Sequence, residues 1–326
     1  MKVLHIIDEP YDSGIVQYAL RAAHGLSRRG DSAEVWGLQG CFPAREAARL
    51  GLRVVEYRQP WLSLGALRRR LCEFAPDLAV AHTGSAHTLA VAAAAWHGTK
   101  VPVVRVRADA RSLRARPGRR LLWRRTAGFI AANAAILGDH LRLYARKDMP
   151  AETIHEGAPD SGARRAPMTG AATIGILARL DPVKGHHYFL EAAALIARKL
   201  PDARFLLIGR EENVRASELA AQAQKLGLSG RVEIAGHVPS VRPYLDRCHL
   251  GVIASTGSEA VSRAAVEWMG AGRPLVATRV GCLPGYVVEG KTGALVPPRD
   301  ASALAEAAVK IAGDSFLAER MGLAAR

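Results

Sequence analysis

Cysteine, long apolar runs and acidic residues are the scarce features of this 326-residue chain. Its four cysteines, Cys41, Cys72, Cys248 and Cys282, are scattered with no CxxC pair. That argues against a disulfide framework and against a metal or redox motif, so the thiols read as reduced fillers. No apolar stretch approaches the roughly 20 residues that span a bilayer. The opening Met1-Lys-Val-Leu-His-Ile-Ile7 runs straight into acidic residues, without a secretory signal's long apolar core or small-residue cleavage site. No GxGxxG is present, so the nicotinamide fingerprint is missing and a dehydrogenase is disfavoured. The expectation is a soluble cytoplasmic enzyme.

What is present is a globular composition, 49% hydrophobic and 23% charged. At about 150 residues per domain, the length suggests two domains. Basic residues outnumber acidic ones 45 to 30, a net charge of +15. Such a surface attracts nucleic acid, acidic lipid or phosphorylated substrates. The excess is uneven. Nine arginines (105, 107, 111, 114, 116, 119, 120, 124 and 125) crowd one segment, opposed only by Asp109. This is either a solvated basic face or a docking surface for an anionic partner.

Strand and helix signals alternate along the first half. Strands are expected at 1–7, 33–38, 53–57, 78–82 and 101–107, with helices at 15–29, 44–50, 64–73 and 85–96. The Gly-, Pro- and Ala-rich stretch 156–169 reads as a linker. Alternation then restarts, with strands at 173–178, 204–209, 232–235, 250–254 and 274–278. Helices are expected at 187–200, 216–226, 241–247, 259–271 and 301–311. The fold class is therefore α/β: two Rossmann-like doubly wound domains, 1–160 and 170–326, facing across a cleft. Ligands of open parallel sheets bind beyond the strands' carboxyl ends, which makes that cleft the default site.

Three stretches carry chemistry. The first strand ends in Asp8-Glu-Pro-Tyr-Asp-Ser-Gly14 before a helix, where Gly14 either lets a ligand approach the backbone or is a plain loop glycine. The second domain opens with Gly175-Ile-Leu-Ala-Arg179-Leu-Asp-Pro-Val-Lys184. Arg179 at a strand end and Lys184 at a helix threshold either converge on a diphosphate or are two surface charges. In Ser255-Thr-Gly-Ser258-Glu259-Ala-Val-Ser262-Arg263-Ala-Ala-Val-Glu267, Ser258 is expected to cap a helix. Glu259 would then lie in its first turn and Glu267 roughly 12 Å further along the axis. Two carboxylates so placed suit hydroxyl-bearing groups at opposite ends of one ligand, or are a helix-dipole residue and an exposed one.

Together these residues resemble the retaining glycosyltransferases of the GT-B fold, glycosyltransferase family 4, most strongly from Thr173 to Pro298. The family's phosphate-binding pair matches Arg179 and Lys184, and its Glu-x7-Glu signature matches Glu259 and Glu267. The stretch Gly270–Pro284 is similar to the strand-turn after the signature helix, Gly290–Pro297 to the closing element, and Ile154–Asp160 to the approach to the hinge. The resemblance implies a nucleoside-diphosphate sugar as substrate, with no cofactor and no metal. Arg179 and Lys184 would hold the diphosphate and stabilise the leaving nucleotide, and Glu259 would contact donor sugar hydroxyls. Glu267 would hold the ribose, with Gly14, Ser262 and Arg263 also on the donor side. The acceptor would be a glycan or a lipid-linked glycan, in lipopolysaccharide, glycolipid or cell-surface polysaccharide synthesis.

The chain departs from the family pattern in places. Ala260-Val-Ser262-Arg263 stands where members carry a glycine soon after the first Glu, and Pro284-Gly285 where many have Pro-Glu. Val104–Asp109 replaces a stretch with a sugar-binding histidine, leaving Arg107 and Asp109, and less so His82, as acceptor-side candidates. Met321–Arg326 is similar to the start of a C-terminal crossover helix that continues in relatives. The segment Ser112–Ala132 interleaves arginines with Leu113, Leu121, Leu122, Trp123, Phe129 and Ile130, which suits peripheral attachment to anionic lipid at the inner membrane face. Two other readings stay open. A nucleotide-sugar epimerase on the same architecture would need further acid/base residues. A non-catalytic basic protein binding nucleic acid or anionic lipid accounts for the charge, but the aromatic platforms and motifs of nucleic-acid binders are missing, so nucleic acid is not the expected partner.

Overall fold

The computed structural model describes residues 1–58, 63–96, 100–109, 118–157, 170–257 and 259–326. It divides into two compact units, Met1–Glu156 and Gly157–Arg326. The strands of unit 1 are β1 (Lys2–Ile7), β2 (Ser32–Leu38), β3 (Arg53–Tyr57), β4 (Leu78–Ala81), β5 (Val103–Arg107), β6 (Gly128–Ala131) and β7 (Ala151–Thr153). Its helices are α1 (Gly14–Arg28), α2 (Phe42–Arg49), α3 (Leu64–Phe74), α4 (Gly84–Ala95), α5 (Arg119–Arg124) and α6 (Ala134–Tyr144). The strand order is β3-β2-β1-β4-β5-β6-β7, and every pairing is parallel.

Unit 2 repeats the plan. Its strands are β8 (Thr173–Leu177), β9 (Arg204–Ile208), β10 (Val232–Gly236), β11 (Leu250–Ile253), β12 (Leu275–Thr278) and β13 (Gly293–Val296). Its helices are α7 (His186–Lys199), α8 (Ala216–Lys225), α9 (Arg242–Asp246), α10 (Arg263–Gly270), α11 (Leu283–Tyr286), α12 (Ala301–Ala312) and α13 (Ser315–Ala325). The order β10-β9-β8-β11-β12-β13 is again wholly parallel. In both units the order reverses beside the first strand, the switch point of a doubly wound sheet.

Parallel strands covered on both faces are largely apolar and buried: the five residues of β1 after Lys2 are buried, as is all of β11 and β12, with His5 and Thr278 the polar exceptions in them. Helices begin where a side chain replaces the missing backbone acceptors. Ser13, Thr83, Asn133, Asp300 and Asp314 each accept an amide of the first turn. In unit 2, Trp268 on α10 is wholly buried and lies over the glycines of β8 and β11. A Cβ on Gly251 would stand 2.4 Å from the indole, and one on Gly175 would stand 2.7 Å from it. Both strands thus lack side chains where the ring packs against them.

Several expectations need correction. The segment 118–156 holds α5, β6, α6 and β7, none of which the strand and helix signals marked. Residues 321–325 lie within a helix that starts at Ser315 after the Asp314 cap, so the expected start at Met321 is too late. The linker stretch 158–169, the expected cap Ser258 and the arginines at 111, 114 and 116 lie outside the described residues.

Candidate functional site

The switch point of unit 2 gathers three of the sequence-predicted residues, Arg179, Lys184 and Glu259. Beyond β8 the chain passes Ala178 and Arg179 into a single 3-10 turn, Pro182–Lys184. Asp181 caps that turn: one carboxylate oxygen accepts the Val183 amide at 3.0 Å, and the other accepts the Asn213 side chain at 2.7 Å. Burial alone would raise the Asp181 pKa. The hydrogen bonds from Val183 and Asn213, with the Arg179 and Lys184 charges, hold it below the ordinary carboxylate range. Gly185 then takes φ +72°, and a Cβ there would stand 2.0 Å from the Ala254 carbonyl. Only glycine permits this approach of the β8 turn to the end of β11. The Thr256 amide completes the contact by donating to the Val183 carbonyl at 2.8 Å.

This packing brings Lys184 to Glu259, 75 residues away in sequence. The ammonium donates to Glu259 Oε1 at 2.5 Å. The Ser255 hydroxyl donates to the same oxygen, and Thr278 Oγ1 donates to the Ser255 carbonyl at 2.7 Å. Glu259 is buried, whereas the Lys184 side chain keeps 21% of its surface open. Arg179 is more open still, at 46%, and lies 3.8 Å from both Asp181 and Glu212. Two cations therefore sit at one strand end, one held tightly and the other loosely. His186, the next buried group, is kept neutral: burial pushes its pKa down to about 4.

Glu259 is not in a helical first turn. Helix α10 starts only at Arg263, with Ser262 before it at φ −110°, ψ 87°. The physical reason is that Glu259 is committed elsewhere. Its carbonyl accepts the Cys282 amide at 2.7 Å, and a Cβ on Gly281 would stand 2.0 Å from that carbonyl. Its side chain is held by Lys184 and Ser255. The two signature carboxylates are thus on a loop and on a helix, so the 12 Å axial separation does not apply. Glu267 lies in α10, where Arg263 Nε donates to it at 2.8 Å. Ser262 is buried and Arg263 exposed. Sequence reasoning missed Ser255, Asp181, Asn213 and Thr278. The Asp before Pro182 was the available signal, since an Asx residue followed by Pro marks a helical N-terminus.

Unit 1 places its predicted residues differently. Gly14 is exposed at the start of α1, and a Cβ there would meet nothing within 4 Å. His82 follows β4 and is buried, with Nε2 3.0 Å from His5 Nδ1 and the rings stacked. Burial lowers the His5 pKa to about 4, and burial plus the neighbouring His5 and Arg105 hold His82 well below its ordinary value. Arg107 is buried at the end of β5 and donates to both oxygens of Asp109 at 2.9 and 3.2 Å. Arg105 beside it is also buried, its pKa pushed down to about 10 by that burial. In the basic segment Trp123 and Phe129 pack into the core with His140, while Leu121 is 61% exposed between Arg120 and Arg124. Among the described residues of that segment, fewer apolar side chains are exposed than the sequence pattern implied.

Among the described residues no helix is long and apolar enough to cross a membrane. Comparison with known proteins places residues 171–314 under the family model "Glycosyl transferases group 1". The D-inositol 3-phosphate glycosyltransferase of Corynebacterium urealyticum is 34% identical over 161 residues, covering 47% of this chain and 38% of that protein. The glycogen synthase of Mycobacterium tuberculosis is 31% identical over 166 residues, covering 50% and 39%. The match thus spans well under half the length of these curated relatives. The crystal structure of Anabaena HepE in complex with UDP superposes with a TM-score of 0.82 over 100% of this chain and 93% of that one, at 21% identity. Residues 171–314 are thus similar to a group 1 glycosyltransferase domain, and the two parallel α/β units have the GT-B fold.

Proposed function

We propose that the chain moves a sugar from a nucleoside-diphosphate sugar to an acceptor hydroxyl, with retention at the anomeric carbon. The observation that carries this reading is the Arg179–Lys184 couple at the switch point of unit 2, with Glu259 hydrogen-bonded beside it. When the bond from the anomeric carbon to the diphosphate breaks, negative charge collects on the leaving oxygens. Fixed cations aimed at that charge stabilise the transition state more than the ground state. Arg179 offers a planar fork and Lys184 a point charge, and the reading assigns them the neutralisation that a divalent ion supplies in other transferases. Glu259 accepts from sugar hydroxyls and Glu267 from the ribose. Ser262, Arg263 and Gly14 line the donor side. The UDP complex of Anabaena HepE and the sugar-transferring relatives support the donor class.

On the acceptor side the reading keeps Arg107, Asp109 and His82 at the strand ends of unit 1. The acceptor is a glycan or lipid-linked glycan of lipopolysaccharide, glycolipid or surface-polysaccharide synthesis, reached by peripheral attachment to the inner membrane face. Leu121 with Arg120, Arg124 and Arg125 on and beside α5 supports that attachment. Co-sedimentation with anionic vesicles, weakened by salt, is its expected signature. Equal binding to neutral and anionic vesicles, unaffected by salt, rules the attachment out.

A thermal-shift panel of UDP, GDP and ADP with their glucose conjugates tests the donor site, because ligands of the folded form raise its melting point. One base series is expected to stabilise the protein and to lose that effect in Lys184→Ala. No shift with any of them favours the basic binding-protein reading.

A further inference from the structure

The cation assigned to the diphosphate is already paired within the protein. Lys184 cannot give its full charge to a diphosphate while its ammonium is 2.5 Å from Glu259 Oε1, and Glu259 cannot turn to a sugar while Lys184 and Ser255 hold that oxygen. The backbone on both sides is fixed. The Glu259 carbonyl is clamped by the Cys282 amide and Gly281, and Gly185 presses the Lys184 turn against Ala254. Exchange of partners is therefore confined to two side chains swinging on anchored Cα atoms.

We infer that the Lys184–Glu259 ion pair is an autoinhibitory latch, opened by the donor's own diphosphate. This rests on the donor site proposed above. The arriving phosphate competes with Glu259 for the ammonium. Once Lys184 transfers to it, the Glu259 carboxylate loses its counter-ion and becomes available to the hydroxyls of the sugar that the same phosphate carries. Charge argues in this direction. A buried carboxylate deprived of its cation needs new donors, and sugar hydroxyls supply them. A nucleoside diphosphate without a sugar opens the latch but leaves Glu259 unpartnered, so it binds against a penalty that the sugar conjugate recovers. The latch thus makes the site discriminate the loaded donor from the spent nucleotide.

The test is a double-mutant cycle read by calorimetry, using whichever of UDP, GDP or ADP the wild-type protein binds, with its glucose conjugate. Glu259→Gln keeps the shape and removes the charge. It is expected to bind the bare nucleotide about tenfold more tightly than wild type, the size of one charge-assisted hydrogen bond. It is expected to bind the sugar conjugate no more tightly. In the Lys184→Met background Glu259→Gln is expected to give no gain. A gain of equal size in that background, or an equal gain for nucleotide and conjugate, means simple relief of charge repulsion and overturns the latch. So does no gain at all. The comparison of nucleotide with conjugate stands even where the Met background binds too weakly to titrate. Failure of the wild-type protein and the Glu259→Gln variant alike to bind any nucleotide instead removes the donor site itself.

Discussion

The two units share one strand order around the first strand and differ in what stands at the turning point. In unit 2 the β8 and β11 ends hold partly open cations, Lys184 and Arg179, against carboxylates they can leave. In unit 1 the β1 and β4 ends hold His5 and His82, stacked, buried and neutral, and the neighbouring Arg107 is closed onto Asp109 by two hydrogen bonds. Topology fixes where a ligand can approach. Exposure and the strength of internal pairing decide whether charge is left to meet it. Unit 2 presents partly exposed cations at the opening, whereas in unit 1 the histidines are buried and neutral and Arg107 is paired with Asp109.

Substitution is the sharpest way to break this contrast. Lys184→Ala should lower the transfer rate on the order of 10²–10³-fold, the usual loss when one preorganised donor to a developing anion is removed. The matching change in unit 1, His82→Gln, should alter the rate within about a factor of ten and act mainly on the melting temperature. Steady-state rates with the donor identified by the panel check both, and equal losses would erase the distinction between the units.

Acid gives a smaller and more graded separation. Burial holds His5 and His140 at about pKa 4 and His87 at about 3, with His82 also well below 6.5. All four belong to unit 1, and unit 2 contributes His186 at about 4. These groups are neutral when folded and take up protons when unfolded, so the unfolded state binds more protons below its ordinary pKa. Their stabilisation is complete above about pH 6.5 and is lost as pH falls toward 4. Unit 1 should therefore open first on acidification. Limited proteolysis of the whole chain at about pH 7 and about pH 5 should show new cuts within Met1–Glu156 before Gly157–Arg326. The reverse order of cutting would contradict the histidine account.

Much of the fold was legible because its strands are short apolar runs separated by turn residues, and its helices start at recognisable caps. β3 fell on the expected residues, and most other elements shifted by a residue or two. The segment from Arg119 to Thr153 was opaque for a different reason. Its arginines drew attention to charge, while the elements there are short, β7 having three residues. Arg179, Lys184 and Glu259, which the structure brings to one strand end, could be picked out by type and spacing. Their connection could not, because the Lys184–Glu259 contact depends on Gly185 meeting Ala254 across neighbouring strands. Local pattern also started α10 too early. A Ser-rich turn before an apolar run looks like a cap, and nothing local reveals that the Cys282 amide has claimed the Glu259 carbonyl.

The indole of Trp268 has a consequence for anyone re-engineering unit 2. It occupies a slot that exists only because Gly175 and Gly251 carry no side chains. Transplanting residues 259–270 from a homologue with a smaller side chain at that point would leave a hollow beneath the transplant, and a bulkier strand residue would collide with the native ring. The loop, its helix and those two glycines form one exchangeable cassette and should be moved together.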